Sequence, residues 1–301
     1  YFFIFCKLFL WKHFIIYLIN TKFITLLGKP LGQSFAARMQ NRGYEAAGLN
    51  MKYFYTEVEN DHLGDVVNGL RYMNFAGFAV TKPNKVEVLK YLDELDPLCA
   101  KMGSSNTVVK KGDKLIGYNT DGIGFYTAIT KDGVDTKDCT VFCFGAGGVG
   151  RAMCSVLAYY GVKKLYITDY FDAAAQSLVD DINKNFAPVA EFVAFKDFSK
   201  VSECNMVMNA SGIGMAPHLG ETPLPEEYVR KDVYYFDACY NPDKTQFLLN
   251  AEKAGAKFLN GLSMSLYQGT EQIRLWTGED APEDAMREEL LTILEEKKNG
   301  K

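Results

Sequence analysis

The sequence predicts an α/β protein made of two strand–helix units in series. Three observations carry that expectation. Apolar runs of strand length alternate with amphipathic segments from about residue 22 to 259, a hairpin pattern separates two such series, and a glycine-rich turn follows the strand that opens the second. A chain of 301 residues also exceeds the usual size of one domain.

In the first series, Phe23–Leu27, Tyr53–Val58 and Phe75–Val80 are expected as strands, with Ser34–Arg42 and His62–Tyr72 as the helices between them. Phe75–Val80 runs into Thr81-Lys82-Pro83-Asn84, where the proline is expected to open a helix. Thr107–Lys111 and Lys114–Tyr118 form a hairpin pattern, and a helix is expected from Gly122. The second series begins with the strand Thr140–Phe144, the helix Arg151–Tyr160 and the strand Lys164–Thr168. Near the end, Met286, Leu290, Ile293 and Leu294 make one apolar stripe after Pro282. The expected boundaries are an accessory extension at 1–21, a first domain at 22–122, a second domain at 123–259 and C-terminal helices at 260–301. Two such units imply a cleft between them.

Composition excludes several classes. Hydrophobic residues at 48% and charged residues at 23% describe a globular protein with a sizeable core, neither disordered nor fibrous. The net charge of −4, with no long basic run, argues against nucleic acid as a partner. Seven cysteines lie scattered, and the closest pair, Cys139 and Cys143, has neither CxxC spacing nor a nearby histidine. They read as reduced thiols of a cytoplasmic protein, with no metal site. Residues 1–20 are strongly apolar, yet Lys7, Lys12 and His13 interrupt them, and no basic leader or small-residue cleavage site frames them. They are expected to be an accessory extension rather than a membrane anchor.

The glycine turn is the first piece of chemistry. Gly145-Ala146-Gly147-Gly148-Val149-Gly150 follows a strand and opens a helix, the setting in which GxGxxG brings backbone N–H groups and a helix N-terminus to a pyrophosphate. Asp169 ends the next strand at the spacing of an acid that binds the adenosine ribose hydroxyls and repels a 2′-phosphate. No Arg or Lys lies in the following Tyr170-Phe171-Asp172-Ala173, so NAD is expected in preference to NADP.

A second set of polar residues lies at strand ends of the first series, where open α/β sheets place ligands. Lys85 is a candidate to supply a proton or stabilise an alkoxide, Asp121 to orient it, and Asn106 and Thr81 to hold a polyol.

Taken in order, Gly28-Lys29-Pro30…Ser34, Val80-Thr81-Lys82-Pro83-Asn84-Lys85, Ser105-Asn106-Thr107, Asn119-Thr120-Asp121-Gly122, Gly145-Ala146-Gly147-Gly148, Asn209-Ala210-Ser211 and Tyr240-Asn241-Pro242 resemble the shikimate/quinate dehydrogenase family over residues 23 to 297. The resemblance implies an N-terminal α/β substrate-binding domain, a Rossmann NAD(P)-binding domain and C-terminal helices returning to the first domain. It implies reversible hydride transfer at a ring hydroxyl of a cyclic hydroxy acid, as from shikimate to 3-dehydroshikimate. Carried over by motif, Lys85 and Asp121 are the catalytic pair, while Ser34, Thr81, Asn106, Tyr240 and Gln268 touch substrate. Gly145, Ala146, Gly147, Gly148, Val149, Asp169, Asn209, Ser211 and Gly261 are the cofactor-binding set. A monomer or homodimer is expected.

Departures from the family pattern concern the substrate. Where the family has His-Ser-x-Ser-Pro, this chain has Gln33-Ser34-Phe35-Ala36-Ala37, so one hydroxyl donor to the acid is lost. Arg38 is a candidate replacement, against the alternative of an exposed helix arginine. Ala79 stands where Asn is common, and Ser104-Ser105 where Ala-Val is common. A quinate or other polyol-acid dehydrogenase, a folate-handling dehydrogenase and a non-catalytic ligand sensor are the alternative readings.

Overall fold

The computed structural model describes residues 20–32 and 34–298, so the expectations for residues 1–19 and for Gln33 lie outside the described residues. The chain divides into two compact units. One comprises the described residues up to Asp96, Ser104–Tyr118 and those from Gln272 onward; the other comprises Pro97–Gly103 and Asn119–Glu271.

The first unit opens with β1 (Lys22–Gly28), α1 (Ala36–Ala46), β2 (Met51–Glu57), α2 (Leu63–Tyr72) and β3 (Phe75–Val80), then adds β4 (Glu94–Leu95), β5 (Thr107–Lys111) and β6 (Lys114–Tyr118). Its sheet has the order β2-β1-β3-β5-β6-β4. Helical crossovers make β1 parallel to β2 and β3, whereas the tight turn at Gly112-Asp113, with Gly112 at φ 61°, makes β5 and β6 antiparallel. Leu27, Val67, Phe78, Val88 and Val108 lie in its core.

Two local expectations change here. Helix α1 starts at Ala36, because the Ser34 hydroxyl accepts from the Ala36 N–H at 3.2 Å and closes a turn ahead of the helix. Pro83 opens no α-helix; residues 82–86 turn and are followed by a single 3-10 segment, Glu87–Tyr91. Asn84 is fully buried and donates from Nδ2 to the Val58 carbonyl at 3.0 Å, while its N–H bonds to Thr81 O, which ties the segment down as a closed turn.

The second unit contains α3 (Pro97–Met102), α4 (Thr120–Lys131), β7 (Thr140–Phe144), α5 (Gly148–Tyr160), β8 (Lys164–Thr168), α6 (Asp172–Asn185) and β9 (Ala190–Phe192). It continues with β10 (Met206–Asn209), β11 (Tyr234–Asp237), α7 (Gln246–Lys253), β12 (Phe258–Asn260) and α8 (Gly261–Thr277). The last turns of α8, from Gln272, belong to the first unit. All pairings in this sheet are parallel, in the order β12-β11-β10-β7-β8-β9. The chain steps outward from β7 to β9, then returns to the other side of β7, so the order reverses between β7 and β10 in the Rossmann manner.

The residue pattern explains why the sheet is covered on both faces. Val141 and Cys143 of β7 enter one apolar cluster and Phe142 and Phe144 the other, and β8, β10 and β11 alternate in the same way. Helix α4 starts two residues before the expected Gly122, since the Asn119 side chain accepts from the Asp121 N–H at 3.2 Å and caps it.

After Pro282 the chain forms α9 (Glu283–Lys298), whose Met286, Leu290, Ile293 and Leu294 are all buried. Burial of such side chains stabilises by about 1.5–3 kcal/mol each. At Gly43 of α1, a Cβ would meet Ile273 Cδ1 at 2.8 Å and Met286 Sδ at 3.0 Å, so the missing side chain lets α8 and α9 close on α1. Arg38 pairs with Glu289 at 2.7 Å and with Glu296, both on α9. It is a clamp between helices α1 and α9, and those acids hold its guanidinium more firmly protonated than usual. The six described cysteines are buried thiols outside any disulfide. No helix among the described residues is long and apolar enough to cross a membrane.

Candidate functional site

In the second unit, the glycine turn sits where the strand order reverses. Gly145 has φ 102°, and a Cβ there would lie 2.6 Å from the Ala210 carbonyl carbon and the Ser211 nitrogen. At Gly150 a Cβ would lie 1.9 Å from Gly145 O, so α5 packs directly on the turn that precedes it. Gly147 and Gly148 differ: they are exposed, and a Cβ on either would meet nothing within 4 Å. Gly147 caps α5 with no side-chain hydrogen bond, and Val149 in the first turn is exposed. The opening N–H groups of a 13-residue helix therefore face open space, which fits an anion such as a pyrophosphate.

Asp169 follows β8, with Oδ2 accepting from the Ala146 N–H at 2.7 Å and Oδ1 from the Phe171 N–H at 2.9 Å. These bonds fix the carboxylate beside the glycine turn, and each oxygen retains acceptor capacity of the kind a ribose diol needs. The fold also brings Phe195, and with it the basic residue Lys196 next to it in the chain, to this segment, which the linear sequence did not reveal. Lys196 lies over the Phe195 ring at 5.6 Å, and that ring contacts Tyr170 at 5.3 Å.

Beyond β10, Asn209 and Ser211 form a closed cluster. The Asn209 amide donates to Ile213 O at 2.9 Å and Asp237 Oδ1 at 3.0 Å, and its oxygen accepts from the Ser211 N–H and hydroxyl. Asn209 is fully buried and engaged at both ends of its amide, so it shapes the Ser211 turn from below. Asp237, which sequence reasoning missed, anchors this cluster. It also accepts from the Cys239 N–H at 2.9 Å and the Thr245 hydroxyl at 2.5 Å, and burial pushes its carboxyl above the usual range. Its place at the end of an apolar strand just ahead of Tyr240-Asn241-Pro242 is the signal that could have found it.

The remaining candidates of this unit gather around α8. The Gly261 N–H donates to Cys239 O at 3.1 Å, and a Cβ at Gly261 would strike Ala238 O at 2.0 Å, which gives that glycine a packing reason. Tyr240 is hydrogen-bonded to Ser265, and burial raises its phenol above the ordinary value. At Gly124 a Cβ would lie 2.6 Å from Gln268 N and Met264 O, so α4 and α8 meet backbone to backbone. Asp121 lies one helical turn before Gly124 in α4.

In the first unit, the strand-end loops bring Thr81, Lys85 and Asn106 together. Val80 N donates to Asn106 O at 2.8 Å, Ser105 N to Lys85 O at 2.8 Å, and Thr81 N to Leu27 O at 2.8 Å. Asn106 is buried, and its Oδ1 accepts from the Thr107 hydroxyl at 2.9 Å. Ser34 lies in the loop after β1. Tyr55 of β2, also missed from sequence, donates to Ser34 O at 2.8 Å and accepts from Ala37 N at 3.1 Å. Ser34, Thr81, Lys85 and Asn106 thus belong to one unit, and Asp121, Tyr240 and Gln268 to the other.

A parallel sheet reversing at an uncapped glycine turn, with an acid fixed at the next strand end, defines a dinucleotide-binding unit; here it is joined to a mixed sheet with polar strand ends. The shikimate dehydrogenase substrate binding domain pattern matches residues 26–108, and the shikimate 5′-dehydrogenase C-terminal domain pattern matches residues 261–291. Shikimate dehydrogenase (NADP(+)) of Streptococcus uberis is 37% identical over 282 residues, 89% of this chain and 95% of that protein. Shikimate 5-dehydrogenase of Listeria monocytogenes, solved with shikimate and NAD, superposes with a TM-score of 0.86 at 36% identity, covering 89% of this chain and 96% of that one. Quinate dehydrogenase of Corynebacterium glutamicum, solved with NAD, gives 0.84 at 29% identity, covering 90% and 99%. The chain belongs to the shikimate dehydrogenase family.

Asp237→Ala is expected to lower unfolding stability by about 3 kcal/mol, because buried donors on Asn209, Cys239 and Thr245 lose their acceptor. Urea denaturation of the variant and the parent measures it.

Proposed function

We propose that this protein interconverts a ring hydroxyl and a ketone, from shikimate to 3-dehydroshikimate, with a nicotinamide dinucleotide. The observation that carries the reading is the near full-length likeness to the Listeria monocytogenes enzyme solved with shikimate and NAD. Hydride acceptance and donation are what the dinucleotide supplies when bound. The chain's own part is to bind, orient and move the proton.

Gly145, Ala146, Gly147, Gly148 and Val149 hold the pyrophosphate, Asp169 the ribose, and Ser211, supported by Asn209, borders the turn. Gly261 contributes by closing α8 onto the segment after β11. Ser34, Thr81, Asn106, Tyr240 and Gln268 are the residues assigned to bind the acid. Lys85 exchanges the hydroxyl proton, and Asp121 is the second member of the catalytic pair. With Arg38 committed to Glu289 and Glu296, the donor lost at Ala36 is not replaced from that side chain.

For the cofactor, the reading favours NAD over NADP, because Asp169 repels a 2′-phosphate. The S. uberis relative is named for NADP, and Lys196, which follows the Phe195 that packs on Tyr170, is a cation that favours tolerance of the phosphate. Quinate ranks second as substrate, since the quinate dehydrogenase is the more distant likeness.

The test is the initial rate of reduced-cofactor formation with shikimate and quinate, each against NAD and NADP. Fastest turnover with shikimate and NAD is expected; faster quinate turnover reassigns the substrate, and absence of turnover with dinucleotide binding intact favours a ligand sensor. Lys85→Ala is expected to lower kcat about 10²-fold with little change in KM, and a near parental rate removes Lys85 from the chemistry. Asp169→Ala is expected to weaken NAD more than NADP in a direct binding titration. Equal losses would show that Asp169 does not read the ribose.

A further inference from the structure

A directed line of hydrogen bonds crosses the buried interior of the first unit and ends on Asn106. Gln40 Nε2 donates to Gln272 Oε1 at 3.0 Å, Gln272 Nε2 donates to Thr107 Oγ1 at 2.9 Å, and the Thr107 hydroxyl donates to Asn106 Oδ1 at 2.9 Å. The four residues come from α1, from the C-terminal half of α8, from β5 and from the residue just before β5. None is more than 2% exposed, so water does not compete for these bonds.

The chemistry of each member gives the line its direction. An amide nitrogen only donates and an amide oxygen only accepts, whereas a hydroxyl has a single proton. Thr107 receives the Gln272 N–H and passes its own proton to Asn106. The Asn106 backbone is fixed as well, with its carbonyl accepting from Val80 N and its N–H donating to Tyr118 O. The oxygen side of its amide is held by the Thr107 hydroxyl. A flip would set Asn106 Nδ2 against the Thr107 hydroxyl and break the bond that the Thr107 proton now makes to Asn106 Oδ1. Loss of a buried hydrogen bond in this way costs more than the bond is worth in water.

We infer that Thr107 and Gln272, backed by Gln40, are positioning residues that lock the Asn106 amide so that its Nδ2 hydrogens, rather than its oxygen, are offered to a substrate hydroxyl. The relay makes the first unit select a ring oxygen that accepts a hydrogen bond at that point. The inference rests on the proposed contact between Asn106 and the acid.

Steady-state kinetics of the full chain with shikimate and dinucleotide test it. Thr107→Val, which keeps shape and removes the hydroxyl, is expected to raise the shikimate KM about tenfold while the dinucleotide KM stays at the parental value. Thr107→Ser restores the proton donor and is expected to return the shikimate KM to within about twofold of the parent. Should Thr107→Val not fold, Gln272→Met, which removes the amide at similar volume, is expected to raise the shikimate KM about threefold. Asn106→Ala separates the two levels of the argument. If it raises the shikimate KM while Thr107→Val or Gln272→Met leaves it unchanged, the relay is overturned and the Asn106 contact stands. If Asn106→Ala itself leaves the shikimate KM unchanged, the contact fails and the relay's role fails with it. A rise in both KM values together, not reversed by serine, would mark Thr107 as a packing residue only and overturn the inference.

Discussion

The glycine-turn edge of the second unit depends on one buried carboxylate. Asp237 ends β11 with no solvent exposure, and burial alone would leave such a group uncompensated. Its bonds to the Asn209 amide, the Cys239 N–H and the Thr245 hydroxyl tie β10, the turn after β11 and the start of α7 to a single point. Asn209 then fixes Ser211, and Ala210 and Ser211 press against Gly145. The shape of the glycine turn is therefore set from beneath by a residue that need not touch a ligand.

The first unit meets the same demand with neutral groups. Gln40, Gln272 and Thr107 carry no charge, so their burial avoids the desolvation cost of an ion, and each amide has a donor end and an acceptor end. A neutral relay of this kind can transmit a direction, which a lone carboxylate cannot. Surface charge has a different task here: Arg38 fastens α1 to α9 through Glu289 and Glu296, and so belongs to the packing of the C-terminal helix.

Much of this was legible in the sequence because it is local. Phe75–Val80, Thr107–Lys111, Lys114–Tyr118, Thr140–Phe144 and Lys164–Thr168 are strands with the expected ends, since each is an apolar run closed by polar or glycine residues. The glycine turn and Asp169 were legible because their spacing is that of a recognised strand–turn–helix–strand pattern, and the Ala146 N–H reaches the Asp169 carboxylate as that spacing implies. Helix ends were less legible. Ser34 and Asn119 each close a turn with a side-chain oxygen, which moves the start of α1 later and that of α4 earlier than the apolar pattern suggests. The segment after Pro83 failed as a helix because the partner of Asn84, the Val58 carbonyl, lies 26 residues away.

By itself the sequence determined the strand–helix alternation, the glycine turn, the acid after β8 and the polar clusters at strand ends, all of which depend on residues a few positions apart. Tertiary structure alone decided which polar groups are held by others. Asp237 as anchor, Tyr55 as the support of Ser34, Phe195 against Tyr170 and the line from Gln40 to Asn106 each join elements distant in the chain. Hydrogen bonds and ring contacts act over a few ångströms, so only the fold brings such partners within reach.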